Sequence, residues 1–242
     1  MSVSLHDQTV LVMGASSGIG REAAILFARE GAKVMASARR DDRLRKLQAE
    51  LKQEGHAIRV AAADAADAKA MKALGEGALA EMGRVDILVY ATGTNTPDRS
   101  LKRLNSDIWN ELLTVNLDGA YYLTAALLPA MREAKSGHLI YIASISGLAP
   151  DASGAAYQAS KRGMLGLAHA IRVEEKENGI RTCVVCPGLV DTELMEKRPV
   201  KPTAETLQKA LQPVDVAELV LAIAKLPARV DVPEVQILPT VL

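Results

Sequence analysis

The sequence is poor in aromatic residues. Phe, Trp and Tyr make up 3% of its 242 residues, too few to build a base-stacking surface. It has no surplus charge of either sign: 29 Lys plus Arg face 29 Asp plus Glu. A dedicated nucleic-acid binder needs a strong positive surplus to displace counterions, so nucleic acid is not expected as a partner, although a local basic patch is compatible with the balance. Cys183 and Cys186 are the only cysteines and cannot build a disulfide framework. No apolar run approaches the roughly 18 residues of a membrane span, and the start, Met-Ser-Val-Ser-Leu-His-Asp, lacks a basic-then-apolar leader. A cytoplasmic location without a membrane partner is the expectation. His6, His56, His138 and His169 are scattered without metal-ligand spacing, so no metal is expected. No repeat of fixed period and no composition break occurs, which implies one domain over residues 1–242.

A hydrophobic fraction of 49% with 24% charged residues suits a soluble globular chain. Short apolar runs at about 9–13, 33–37, 57–62, 86–90, 138–143, 180–186 and 234–238 read as strands. Helical patterns at about 18–30, 41–54, 67–82, 105–134, 155–178 and 214–225 alternate with them, the long one bent near Gly119. This alternation predicts an α/β fold: a Rossmann-like, doubly wound, seven-stranded and mostly parallel sheet with helices on both faces. The Pro-containing stretch 189–213 follows the sixth strand and is expected to form a substrate lid.

The first strand runs into Gly14-Ala15-Ser16-Ser17-Gly18-Ile19-Gly20 and then a helix. Glycine allows a tight turn and close backbone approach, while the helix start offers unpaired N–H groups and a positive dipole end to a pyrophosphate. The spacing G-x-x-x-G-x-G differs from the common dinucleotide fingerprint. It resembles the cofactor turn of the short-chain dehydrogenase/reductase superfamily, with Met13 in place of the usual Thr. The resemblance extends along nearly the whole chain, motif after motif, and implies an oxidoreductase that transfers hydride between a nicotinamide and the carbonyl or secondary alcohol of a small substrate, an aldehyde, ketone or hydroxy acid.

At the end of the second strand, Ser37-Ala38-Arg39-Arg40 offers no acid for a ribose 2′-hydroxyl. A guanidinium there can clamp a 2′-phosphate, so NADP(H) is expected over NAD(H), with Arg39 foremost and Arg40, Ser16 and Ser17 as helpers. Arg40 could instead open a solvated helix. The resemblance implies that Asp64, followed by Ala65, meets the adenine amino group. Capping the next helix is the other reading of Asp64, and Asp67 is better placed for that cap. Tyr90-Ala91-Thr92-Gly93 departs from the family's N-N-A-G, leaving cofactor roles to Ala91 and Gly93. Cys186-Pro187-Gly188-Leu189-Val190-Asp191-Thr192 resembles the family segment in which the positions of Pro187, Gly188, Val190 and Thr192 hold the nicotinamide end.

Tyr157-Gln158-Ala159-Ser160-Lys161 places a phenol and an ammonium on one helix face. The ammonium and an oxidised nicotinamide are expected to lower the phenol's pKa from near 10. Ser144 lies thirteen positions earlier, at the end of a strand, and Asn116 lies in the long helical region. By resemblance, Asn116, Ser144, Tyr157 and Lys161 form the catalytic set, and Tyr157 and Lys161 also meet the cofactor. Asn95, Ser144, Ile145, Leu148, Asp151, Leu189 and Met195 are candidates for the substrate pocket, while Lys197, Arg198 and Lys201 could attract an acidic substrate or be solvated surface. Cys183 and Cys186, three apart on a strand, point to opposite faces and read as core. Met164, Leu165, Leu167 and Ile171 read as core or interface. A 3-oxoacyl thioester reductase and a catalytically silent NADP(H) sensor are the competing functions, and the family implies a homodimer or homotetramer.

Overall fold

The computed structural model describes residues 3–241. Strands β1 (Thr9–Met13), β2 (Lys33–Ala38), β3 (Arg59–Ala62), β4 (Ile87–Tyr90), β5 (Gly137–Ile142), β6 (Ile180–Pro187) and β7 (Glu234–Ile237) form one sheet in the order β3-β2-β1-β4-β5-β6-β7. Every pairing is parallel. Helices α1 (Gly18–Arg29), α2 (Asp41–Gln53), α3 (Ala68–Met82), α4 (Ser106–Leu113), α5 (Gly119–Ala134), α6 (Ala155–Glu175), α7 (Ala204–Lys209) and α8 (Pro213–Ala224) complete the chain. This is the Rossmann-like architecture expected from the alternating pattern. The order reverses between β1 and β4, and in open parallel sheets ligands bind at the carboxyl edge beside that reversal.

Alternation along the strands divides the interior into two cores. Val10 and Val12 of β1 pack on one face with Ala23 and Phe27 of α1, Leu44 and Leu47 of α2, and Val216 and Val220 of α8. Leu11 and Met13 pack on the other with Leu123 and Leu127 of α5 and Met164 and Ile171 of α6. Leu165 belongs to that second core and Leu167 packs partly against it. Cys183 sits in the first core and Cys186 in the second, both as free thiols, which is the opposite-face arrangement expected of them.

The long helical region is not one bent helix. Five residues, Thr114–Asp118, form a π-helical turn between α4 and α5. Such turns carry an inserted residue and recur at functional sites. Here Tyr90, at the end of β4, donates its hydroxyl to the carbonyl of Val115 at 2.8 Å. Tyr90 is fully buried, so it fastens the π turn to the carboxyl edge of the sheet. Asn116, in the middle of that turn, is fully buried as well.

Tyr90→Phe removes the buried hydroxyl that donates to the Val115 carbonyl. The expected cost is about 1–3 kcal/mol, and a chain of this size loses roughly 2–4 °C in Tm per kcal/mol. Thermal unfolding of the variant checks this, and an unchanged Tm would show that the hydroxyl does not hold the turn.

Candidate active site

A cavity of about 830 Å³ opens along the carboxyl edge of the sheet. At its floor, Gly14 has φ +100, and a Cβ there would stand 2.8 Å from the Ala91 carbonyl carbon. A Cβ on Gly20 would stand 2.5 Å from the carbonyl oxygen of Gly14. Any side chain at either position would fill or break the turn. Gly14, Ser16, Ser17, Gly18 and Ile19 line the cavity, whereas Gly20 packs beneath the turn, outside the wall. No side chain caps the start of α1, so its first N–H groups are free to meet an anion. This cradle fits the pyrophosphate of a nicotinamide dinucleotide.

Arg40 is the most organised cation at the end of β2. Its Nη2 donates to Ser16 Oγ at 2.9 Å and Ser17 Oγ at 2.7 Å, and its Nε to Ser16 Oγ at 3.1 Å. Its Nη1 meets Glu193 at 2.8 Å, and Arg43 pairs with the same carboxylate. Arg39 lines the cavity with its side chain 76% exposed, its nearest acid being Asp64 at 3.7 Å. The two arginines thus differ in their surroundings: Arg40 reaches the glycine turn, and Arg39 stays exposed on the cavity wall. Asp67 caps α3, accepting from the N–H groups of Lys69 at 2.8 Å and Ala70 at 3.1 Å. Asp64, relieved of that task, accepts from Ala66 N at 3.0 Å and lines the cavity with Ala65.

At the far end, Ser144, Tyr157 and Lys161 share the cavity wall with Ala91, Gly93, Pro187, Gly188, Val190 and Thr192. Ser144 donates to Ser146 Oγ at 3.1 Å, and Ser146 donates to Asp151 Oδ2 at 2.5 Å. Burial pushes the Asp151 carboxyl up, but hydrogen bonds from Ser146 and Ser153, with the charge of Arg198, hold it below its ordinary value. This chain from Ser144 to a carboxylate has no sequence signature, since Ser146 sits on a short 3-10 turn, Ile145–Gly147.

Burial pushes the Tyr157 phenol up to about 12, opposed by the Ser144 hydroxyl and the charges of Arg99 and Arg198. Burial also pushes the Lys161 ammonium down to about 8. The lysine does not lower the phenol in this protein without coenzyme. Its Nζ donates to the Ile142 carbonyl at 2.9 Å and lies 5.7 Å from the centroid of the Tyr157 ring. Desolvation of the phenolate outweighs the expected ammonium effect.

Asn116 stands behind the wall rather than in it. Its Oδ1 accepts from Thr94 N at 2.7 Å, and its Nδ2 donates to Thr94 O and Ser160 Oγ, each at 3.0 Å. Ser160 in turn donates to the Tyr157 carbonyl at 2.7 Å. Asn116 thus ties the loop after β4 to the helix of Tyr157 and Lys161. Asn95, Leu189 and Met195 line the cavity, but Ile145 and Leu148 do not. Leu148 packs against the second core, so the pocket expectation is corrected for these two residues.

The segment 189–213 divides into two parts. Leu189, Val190 and Thr192–Arg198 contribute to the cavity wall, including a 3-10 turn over Glu193–Lys197. The rest returns through α7 to a bridge between Val190 and Leu211. Lys197 donates to Thr94 Oγ1 at 2.5 Å, and Arg99 Nη2 donates to the Lys197 carbonyl at 2.8 Å. The wall-forming part is therefore strapped to the loop after β4. Arg99 has no motif around it and could not be singled out before this contact was visible.

The family model for short chain dehydrogenase matches residues 8–202. The chain belongs to that family and is a nucleotide-binding oxidoreductase. It is 37% identical to an uncharacterised oxidoreductase of Staphylococcus saprophyticus over 196 residues, 80% of this chain and 78% of the relative. An uncharacterised oxidoreductase of Listeria monocytogenes is 31% identical across 98% of both chains. Two solved structures are similar. A metagenomic short-chain oxidoreductase in complex with NADP shares 33% identity at a TM-score of 0.85, over 99% of this chain and 100% of that one. The closed form of a serine dehydrogenase complexed with NADP+ shares 31% identity at a TM-score of 0.87, over 95% and 94%.

Since burial disfavours the anion, Tyr157 in the protein without coenzyme is expected to stay protonated through neutral pH. The difference in phenolate absorbance between wild type and Tyr157→Phe should be flat below about pH 10, given a phenol held near 12. A phenolate signal near pH 7 would contradict this account of the site.

Proposed function

We propose that this protein is an NADP(H)-dependent oxidoreductase acting on the carbonyl or secondary alcohol of a small substrate. The observation that carries the proposal is the convergence of Ser144, Tyr157 and Lys161 on one cavity with the glycine turn and Arg40. The relatives solved with NADP support the same choice of coenzyme.

Gly14, Ser16, Ser17, Gly18 and Ile19 would hold the pyrophosphate, with Gly20 keeping the turn tight. Asp64, Ala65, Ala91 and Gly93 would meet the adenosine half, and Pro187, Gly188, Val190 and Thr192 the nicotinamide end. Arg40, with Arg39 and the Ser16 and Ser17 hydroxyls, would take the 2′-phosphate. Glu193 competes for Arg40, but Arg39, Arg40 and Arg43 leave this corner with a cationic excess over it.

The coenzyme, when bound, supplies or accepts the hydride at the substrate carbon. Tyr157 donates its phenolic proton to the carbonyl oxygen in reduction and takes the alcohol's proton in oxidation. Ser144 holds that oxygen by a hydrogen bond and orients it. Lys161, though burial pushes its ammonium down to about 8, would carry positive charge beside the phenol when protonated. Asn116 is a positioning residue that keeps α6 and the Thr94 loop in register.

Tyr157→Phe is expected to abolish turnover while NADPH still binds, measured by nicotinamide fluorescence; full activity would overturn the role. Arg40→Leu should weaken NADPH binding about ten- to a hundredfold, the worth of about 1.5–3 kcal/mol for charge-assisted hydrogen bonds. NADH binding should change little. Equal losses for both coenzymes would remove Arg40 from 2′-phosphate recognition.

A further inference from the structure

The charges on the strap and on the loop beneath it are unevenly matched. Glu193 pairs with Arg40 and Arg43, Lys201 with Glu196, and Asp98 with Arg103. Among the described residues, Arg99 and Arg198 form no such pair with a carboxylate, although both line the cavity that holds Ser144 and Tyr157.

Arg99 is held in place by neutral acceptors. Its Nε donates to the Thr96 carbonyl at 3.0 Å and its Nη2 to the Lys197 carbonyl at 2.8 Å. Its own Cβ lies 2.6 Å from where a Cβ on Gly154 would stand, so it is packed against the residue that precedes α6 and, three positions later, Tyr157. Two backbone carbonyls orient the guanidinium without neutralising it. Arg198 directly follows Lys197, whose carbonyl Arg99 holds, and burial together with the charge of Arg198 keeps the Arg99 pKa below the ordinary value. Both cations also act on the Tyr157 phenol. Of the acids on the cavity wall, Asp151 is the one whose charge acts on both arginines, while its oxygens accept from Ser146 Oγ at 2.5 Å and Ser153 N at 2.8 Å.

Two guanidiniums on the wall that also carries Ser144 and Tyr157, with the single charge of Asp151 acting on both, leave an excess of positive charge that a substrate anion would offset. A planar guanidinium pair matches the fork of a carboxylate. We propose that the substrate is a short hydroxy acid, or the matching oxo acid, whose carboxylate is held by Arg99 and Arg198 while its hydroxyl or carbonyl faces Tyr157 and Ser144. This rests on the hydride-transfer reading above and names the substrate class for the same site. In oxidation one hydride would leave the carbinol carbon for the bound coenzyme, and the hydroxyl's proton would pass to Tyr157 in its phenolate form, the phenol having first released its own proton to solvent. The carboxylate keeps its charge throughout and serves only as the handle.

The test assays NADP+-dependent oxidation of short 2- and 3-hydroxy acids, among them 3-hydroxybutyrate, beside their methyl esters and neutral secondary alcohols. NADPH-dependent reduction of neutral aldehydes and ketones is measured in parallel. We expect an acid to exceed its ester at least tenfold in kcat/KM, with the advantage shrinking as salt is raised. Arg198 makes no side-chain hydrogen bond among those described, so Arg198→Met is the cleaner variant. It should raise KM for the acid about tenfold to a hundredfold, with a smaller change in kcat and little change for the ester. Arg198→Lys should recover part of the loss. Arg99→Met should act in the same direction. The acid, and not the ester, should raise the melting temperature of wild-type protein but not of Arg198→Met.

Equal response to acid and ester, in turnover or melting temperature, overturns the carboxylate site and leaves hydride transfer standing. So does an equal loss on both substrates in the arginine variants. Turnover of neutral compounds alone has the same meaning. No turnover across the whole set, in either direction, overturns the hydride-transfer reading and this inference with it.

Discussion

The structure depends on β1 being hydrogen-bonded on both sides, to β2 and to β4, in parallel. Parallel neighbours need crossovers, and the crossovers on the two sides of β1 leave the sheet toward opposite faces. The chain segments leaving β1 and β4 therefore part, and a crevice opens at their carboxyl ends. The same pairing extends into the loops. Gly14 N and Ala15 N donate to the Ser37 carbonyl at 2.8 and 3.0 Å, and Ala91 N donates to the Met13 carbonyl at 2.8 Å. The glycine turn and the loop after β4 are thus continuations of the sheet and inherit its rigidity.

Burial sets the electrostatics of the reacting end. The phenol of Tyr157 and the ammonium of Lys161 are both taken from water, and each is pushed toward its neutral form. The phenol is thereby kept as a proton donor in the protein without coenzyme. Further positive charge brought into the cavity would act against that push. Positional accuracy comes from buried hydrogen bonds farther back, where Tyr90 holds the π turn and Asn116 links Thr94 to Ser160. Tyr90, which stands where the family's motif begins, carries a structural bond of its own.

Much of the fold was readable along the chain because its signals are local. Apolar runs of strand length and the opposed faces of Cys183 and Cys186 follow from periods of 2 and 3.6 residues, and glycines after helices and the Asp67 cap follow from the backbone needs of helix ends. The π turn was not readable: Gly119 suggested a bend, but the extra residue is stabilised by Tyr90, 25 positions from Val115. Nor was the contact of Arg40 with Ser16 and Ser17, because neighbouring arginines differ only in which side of the chain they leave. Ile145 and Leu148 were near the reacting serine in sequence, yet a single 3-10 turn carries them away from the cavity.

By itself the sequence determined the class of fold, the place of the glycine turn and the residue types able to move a proton. Those properties depend on neighbours a few positions apart and on side-chain chemistry. Only the tertiary structure decided that Arg40 reaches the turn, that Asn116 stands behind the wall, and that Arg99 and Arg198 line the same cavity as Tyr157. Such meetings are set by the twist of the sheet and the packing of distant loops, which no short stretch of chain encodes.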